Sequence, residues 1–293
     1  MREQASEREL DPAVALAGDL RDVGASVKDL WKQVATLRRS VDTLVEELSA
    51  ARFSDLAVPG RRAILTDQLD RERALLEVLQ LAGVDSRRFV DVGCGRSGGQ
   101  SRLLADRFGW SGLFVDASPG AVKAVQRAFL KRPDVLVAEA EVTPENVNEL
   151  IARLPGEPDL LSIDIDSYDY WLWRAVEARP RVVVVEYNAY FGEQRVVVPY
   201  GAMGAETPKG YFGASLGALH ALGREKGYGL LGCDSLGVNA YFVRTDLLPE
   251  SAAVEPEEVF RKKLVRTDAE DVGHDPRKIL KKIRLAELPL VEV

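Results

Sequence analysis

Apolar residues recur in steps of four and three near the start of the chain, at Leu16, Leu20, Val23, Val27, Leu30, Val34, Leu37, Val41, Leu44 and Leu48. A seam of this kind, sustained over more than four heptads, predicts a coiled-coil helix. With Leu20 at position a, Val27, Val34 and Val41 also fall at a, while Val23, Leu30, Leu37 and Leu44 fall at d. β-Branched residues at a with leucine at d favour a parallel, two-stranded assembly. Gly24 weakens the helix by about 1 kcal/mol relative to alanine, and Trp31 widens the apolar stripe beside the seam. The same stripe could fold back on the rest of the chain, but the expectation is a homo-oligomer formed through residues 16–48.

The heptads break in ARFSDLAVPGRR, residues 51–62, where Pro59-Gly60 marks a linker. This places a helical segment at 1–55 and a separate domain at 60–293. From about Leu65 a helical stretch runs to a glycine stop at Gly83. Short apolar runs then alternate with helical patterns. Strands are expected at Arg88–Val92, Gly112–Val115, Asp134–Val137, Asp159–Ile165 and Arg181–Val185. Helices are expected between and after them at Gln100–Phe108, Pro119–Lys131, Glu145–Leu154, Tyr168–Ala178 and Ala214–Lys226. That alternation implies a buried, mostly parallel sheet with right-handed crossovers. The last two runs, Gly229–Cys233 and Val238–Arg244, are separated by too few residues for a parallel crossover, so they should pair as an antiparallel hairpin.

Composition narrows the function classes. The 293 residues carry a formal net charge of −7, a poor match for a phosphate-backbone partner, so no nucleic-acid partner is expected. Two cysteines, Cys94 and Cys233, without a CxxC pair, fit neither a disulfide framework nor a zinc site. There is no signal-like leader and no membrane-length apolar run, so the expected setting is cytoplasmic with no membrane partner.

FVDVGCGRSGG sets Gly93, Gly95 and Gly98 at the mouth of the first strand of the alternating region, just before a helix. A G-x-G-x-x-G loop there suits a dinucleotide as well as S-adenosylmethionine (SAM), because the glycines allow close backbone approach to either ligand. Asp91, two residues before the first glycine, would repel a pyrophosphate at short range and attract the ammonium and sulfonium of SAM. Asp116, at the end of the next strand in GLFVDASP, suits a ribose diol in both cases, or else caps the helix opening at Pro119. SAM is the favoured expectation, with a nicotinamide or flavin cofactor, or none, left open.

SIDIDSYDYW puts Asp164, Asp166 and Asp169 at the carboxyl end of a central strand, where open α/β sheets bind ligands. Glu186 and Asn188 follow the next strand. Such hard oxygen donors suit Mg²⁺, which would lower the pKa of an acceptor hydroxyl, and Asp164, Glu186 and Asn188 are the expected ligands. Alternatively Asp164 or Asp166 is the general base. His220 is a further candidate base, although its helix is expected on the back of the sheet, and His274 lies in a polar tail. Residues 189–213, long and rich in Gly, Pro and aromatic residues, read as a substrate lid.

In order, DVGCGRSGG, GLFVDASP, DLLSIDID and the closing hairpin resemble the class I SAM-dependent methyltransferases over Phe89–Arg244. The stretch Leu160–Asn188 is similar to FkbM-type and macrocin-type O-methyltransferases of sugars and natural products. The resemblance implies a Rossmann-like α/β fold, with a seven-stranded sheet that is parallel except for its terminal hairpin. It also implies that Asp91, Gly93, Gly95 and Asp116 hold SAM, and that Ala138–Val142, Glu139 included, flanks the adenine, while Asp164 is the further residue expected at the SAM amine if it is not the base. The expected activity is O-methylation of a small-molecule hydroxyl. A catalytically idle SAM-binding scaffold, or a nicotinamide-dependent oxidoreductase, is the alternative.

Overall fold

The computed structural model describes residues 26–41, 44, 51–56, 69–192, 194–204, 206–208, 210–234, 236–249, 252–261, 281, 283 and 287–293. The chain divides into two compact units, 1–49 and 50–293. In the first, residues 26–41 form one helix. Its polar side is knitted by bonds one turn apart, among them Gln33 Nε2 donating to Asp29 Oδ2 at 3.0 Å. Leu16, Leu20, Val23 and Leu48 of the expected seam lie outside the described residues.

The second unit includes residues 51–55, expected within the helical segment 1–55, and Leu56 after them. They belong here instead: Phe53 and Leu56 are buried beside Leu75 and Leu79, and the indole Nε1 of Trp110 donates to the Leu56 carbonyl at 2.7 Å. Helix α1 (Leu69–Ala82) follows. The strands β1 (Arg88–Val92), β2 (Ser111–Asp116), β3 (Val135–Glu139), β4 (Leu160–Ile163) and β5 (Val182–Glu186) then alternate with α2 (Pro119–Ala128), α3 (Val147–Ile151) and α4 (Asp169–Ala175). After a short strand β6 (Val196–Val197) and α5 (Leu216–Lys226) come β7 (Tyr228–Cys233) and β8 (Asn239–Arg244). Among the described residues, a single turn, α6 (Pro256–Val259), and a terminal strand β9 (Val291–Glu292) follow.

The seven-stranded sheet runs β3-β2-β1-β4-β5-β8-β7. Its first five strands are parallel, β8 is antiparallel to β5, and β7 is antiparallel to β8. The expected hairpin is therefore present, and Asp234 fastens its turn by accepting from the amides of Val238 and Asn239. Alternation along the strands feeds two cores. Val90, Val92, Leu161, Ile163, Val183 and Val185 pack on one face against α3, α4 and α5. Phe89, Phe114, Leu160, Val182 and Val184 pack on the other face against α1 and the Phe108–Trp110 corner. Burial on both faces explains why β5 is an unbroken run of valines, a pattern typical of central parallel strands.

One expected helix is not regular. In place of an α-helix over Gln100–Phe108, turns from Gly95 to Ser101 lead into a wide π-type turn, Leu104–Phe108, ended by Gly109 at φ 78°. The consequence is local: Arg102, Leu103, Asp106 and Arg107 all border one cavity. Among the described residues, no helix is long and apolar enough to cross a membrane.

Candidate functional site

Beyond the carboxyl ends of β1 and β4 lies a cavity of about 930 Å³, near the upper end of the usual range for ligand pockets. Asp91, Gly93, Cys94, Gly95, Ser97 and Gly99 form its floor, and Ser162, Asp164 and Asp166 one wall. Glu72 of α1, the Gln100–Arg107 segment and Leu236 of the hairpin supply the rest.

The glycines are required for this shape. Gly93, Gly95, Gly98 and Gly99 all have positive φ, between 56° and 85°. A methyl group on Gly93 would overlap the Asp164 carbonyl, so the loop can lie against β4 only with hydrogen at that position. At Gly95 nothing lies within 4 Å of a built Cβ. Here the backbone faces open space, as a cradle for a ligand should.

Asp91, the last residue but one of β1, lies beneath this loop and is 1% exposed. Its Oδ2 accepts from the Ser101 amide at 3.0 Å. Burial raises its pKa to about 7; Ser101 pulls it down, while the neighbouring carboxylates of Asp164 and Asp116 push it up. A carboxylate held this way gains most from a cation placed beside it. Asp116 does not border the cavity. Both its oxygens are used, Oδ2 accepting from the Gly95 amide and Oδ1 from the Ser118 amide, each at 2.7 Å. It therefore holds the loop, and the helix cap falls to Ser118, whose hydroxyl accepts from the Ala121 amide. Glu139 is exposed at the end of β3, in register with Asp116 and outside the cavity lining.

Three carboxylates converge after β4 and β5. Single oxygens of Asp164, Asp166 and Glu186 lie within 4.8 Å of one another, with Glu186 buried, Asp164 half-buried and Asp166 exposed. Asp166 has φ 53°, a left-handed conformation that Asp tolerates better than most residues. The turn is held by Asp169, whose two oxygens accept from the amides of Ile165 and Ser167. Burial first, and then the Asp164 charge, raise the Asp169 pKa to about 7. The third carboxylate of the sequence cluster thus shapes the loop.

Asn188 does not join this group. Its Nδ2 donates to the carbonyls of Gly210 and Phe212, both at 2.8 Å, and its Oδ1 accepts from the Tyr190 amide at 3.0 Å. With every polar atom of the amide engaged, it is a peg for the 189–213 insertion. Asn188→Ala should cost about 3 kcal/mol of stability, since it strands buried polar groups. A urea titration reads that loss, and ligand binding at the cavity should stay within a few-fold.

None of the insertion's described residues lines the cavity. β6 pairs antiparallel with β9. Phe191, Val198 and Tyr211 form a small core with Ile283, flanked by Leu288 and Leu290. Phe191 and Tyr211 of the insertion thus pack with the chain's own C-terminal segment, while Tyr200 is exposed and stands edge-on to Tyr168. His220 also stands apart. It is 5% exposed in α5, its Nδ1 lies 3.8 Å from Glu255 Oε2, and burial lowers its pKa. It does not border the cavity. His274 lies outside the described residues. Sequence reasoning missed Glu72, Gln100, Arg102, Asp106 and Arg107, which all border the cavity.

No protein-family model matches the chain, and no curated protein matches it. Among solved structures, it is similar to a candidate sarcosine dimethylglycine methyltransferase from Galdieria sulphuraria, at 18% identity and TM-score 0.38, over 56% of this chain and 63% of that one. The chain thus spans just under two thirds of that protein's length. It is also similar to the N-terminal domain of EvdMO1, solved in the presence of SAH and D-fucose, at 15% identity and TM-score 0.41, over 68% and 96% of the two chains. A SAM-dependent methyltransferase from Clostridium acetobutylicum aligns at 11% identity and TM-score 0.41, over 61% and 92%.

Proposed function

We propose that the chain is a SAM-dependent methyltransferase acting on a hydroxyl oxygen of a small molecule, a sugar or natural product. The observation that carries this reading is the buried Asp91 carboxylate under a glycine cradle in an acidic cavity. Five carboxylates border that cavity against two guanidinium groups, and one of the latter, Arg102, is paired with Asp106 at 2.9 Å. A pyrophosphate brought to about 4 Å from Asp91 would meet a repulsion on the order of 4 kcal/mol per charge pair at an effective dielectric of about 20. The ammonium and sulfonium of SAM reverse that sign. The open Cβ direction at Gly95 and the acidic donor set both fit the cofactor.

Bound there, SAM supplies an activated methyl group, which leaves the protein to position and deprotonate the acceptor. Asp91 holds the cationic end of the cofactor, and Gly93 and Gly95 let the backbone lie against it. Asp166, exposed at the cavity wall, takes the acceptor's proton, with Asp164 and Glu186 fixing the local field. The same three carboxylates could hold Mg²⁺, which would acidify the hydroxyl directly.

The test is incubation with methyl-labelled SAM and a panel of sugars and polyhydroxylated natural products, following SAH release and label in the product. Asp166→Asn should lower turnover by roughly 10²- to 10⁴-fold while SAH binding holds. Turnover abolished by a chelator and restored by Mg²⁺ would assign the cluster to a cation instead. Label that never leaves SAM across the panel counts against methyl transfer to oxygen.

A further inference from the structure

In the first unit, the helix over residues 26–41 leaves its apolar face open. Leu30, Trp31 and Leu37 are 61%, 69% and 67% exposed, and Val27, Val34, Val41 and Leu44 are each close to half exposed. Seven large apolar side chains exposed in one stripe are the kind of contiguous patch that marks an interaction surface. We propose that this face is the seam of a parallel, two-stranded coiled coil with a second copy of the same chain. The proposal is independent of the methyltransferase reading.

Three features favour a second copy over other occupants. Val27, Val34 and Val41 fill the a positions and Leu30, Leu37 and Leu44 the d positions, the combination that suits two parallel strands. Most of the helix charges, Lys28, Asp29, Lys32 and Arg39, stand at b, c and f, facing away from such a seam, so the basic character of the helix does not repel a copy of itself. The flanking positions are compatible as well. In a parallel pair, the g residue of one heptad meets the e residue of the partner's next heptad. Trp31 then lies opposite a small Ser26, and Arg38, the only charge among the described flanking residues, lies opposite Gln33.

Sedimentation equilibrium of the full chain at micromolar concentration tests this. The wild type should have twice the monomer mass. Leu30→Lys combined with Leu37→Lys should return it to monomer mass, with the thermal melt of the larger unit unchanged. Val34→Cys should cross-link to a disulfide dimer under mild oxidation. Arg39→Cys, pointing outward, should not, and neither should the wild type with only Cys94 and Cys233. A monomeric wild type overturns the proposal, and so does a dimer that survives the double substitution. A trimer or tetramer does so too, as does a dimer that fails to cross-link at position 34. If the wild type is monomeric and co-sediments with phosphatidylserine vesicles, the face serves a membrane surface instead.

Discussion

Asp91→Asn is expected to weaken SAM and SAH binding by roughly 30-fold or more, because removing one partner of a buried charge pair costs about 2–5 kcal/mol. The same change should make the ligand-free protein more stable at pH 8. Burial raises the carboxyl's pKa to about 7 in the folded chain, against about 3.9 when unfolded. The folded state therefore binds more protons between those values, and stability falls as pH rises from about 4 through 7. Asp169, also raised to about 7, adds to the same trend. Asparagine can still accept from the Ser101 amide, so it removes the cost of the buried charge without removing that bond. Two measurements check this, calorimetric titration with SAH and thermal melts of the apo protein at pH 6 and 8. SAH affinity of the wild type should fall below pH 7, as Asp91 takes up a proton, while the apo melting temperature rises. An Asp91→Asn protein that binds SAH like the wild type removes the charge-pair argument.

The second large effect separates two glycines of one loop. Gly93→Ala should destabilise the larger unit by at least about 3 kcal/mol, since the methyl group meets the Asp164 carbonyl and the φ of 82° is unfavourable for alanine. For a unit of this size that corresponds to roughly 10 °C in melting temperature. Gly95→Ala, at φ 57° with nothing within 4 Å of the new methyl, should cost only about 1 kcal/mol. Its effect should appear in binding, because the methyl projects into the space a ligand would fill. Equal losses of stability at the two positions would show that the loop is a packing feature and not a cradle.

These contrasts also mark how far the sequence could be read. Strand positions were legible because buried β-branched runs have few alternatives: β1 occupies Arg88–Val92 as expected, and β5 is shifted one residue toward the C-terminus from its expected span. The hairpin was legible from loop length alone. Positions whose role depends on a partner distant in sequence were not. Asn188 reads as a metal ligand next to Glu186, yet its amide is engaged by Gly210 and Phe212. The 189–213 insertion reads as a substrate lid, yet Phe191 and Tyr211 pack with Ile283, flanked by Leu288 and Leu290, some eighty residues further along the chain. Nor does any local signal distinguish an α-helix over Gln100–Phe108 from the π-type turn that occupies Leu104–Phe108 beside the cavity.

The central claim is that the acidic glycine cradle selects the cationic end of SAM. Calorimetric titration of the wild-type chain with SAH, and separately with NADH, tests it most directly. One saturable site per chain for SAH and no heat with NADH is the expected result. Saturable NADH binding that SAH cannot displace, or no binding of SAH at any pH between 6 and 8, would contradict it.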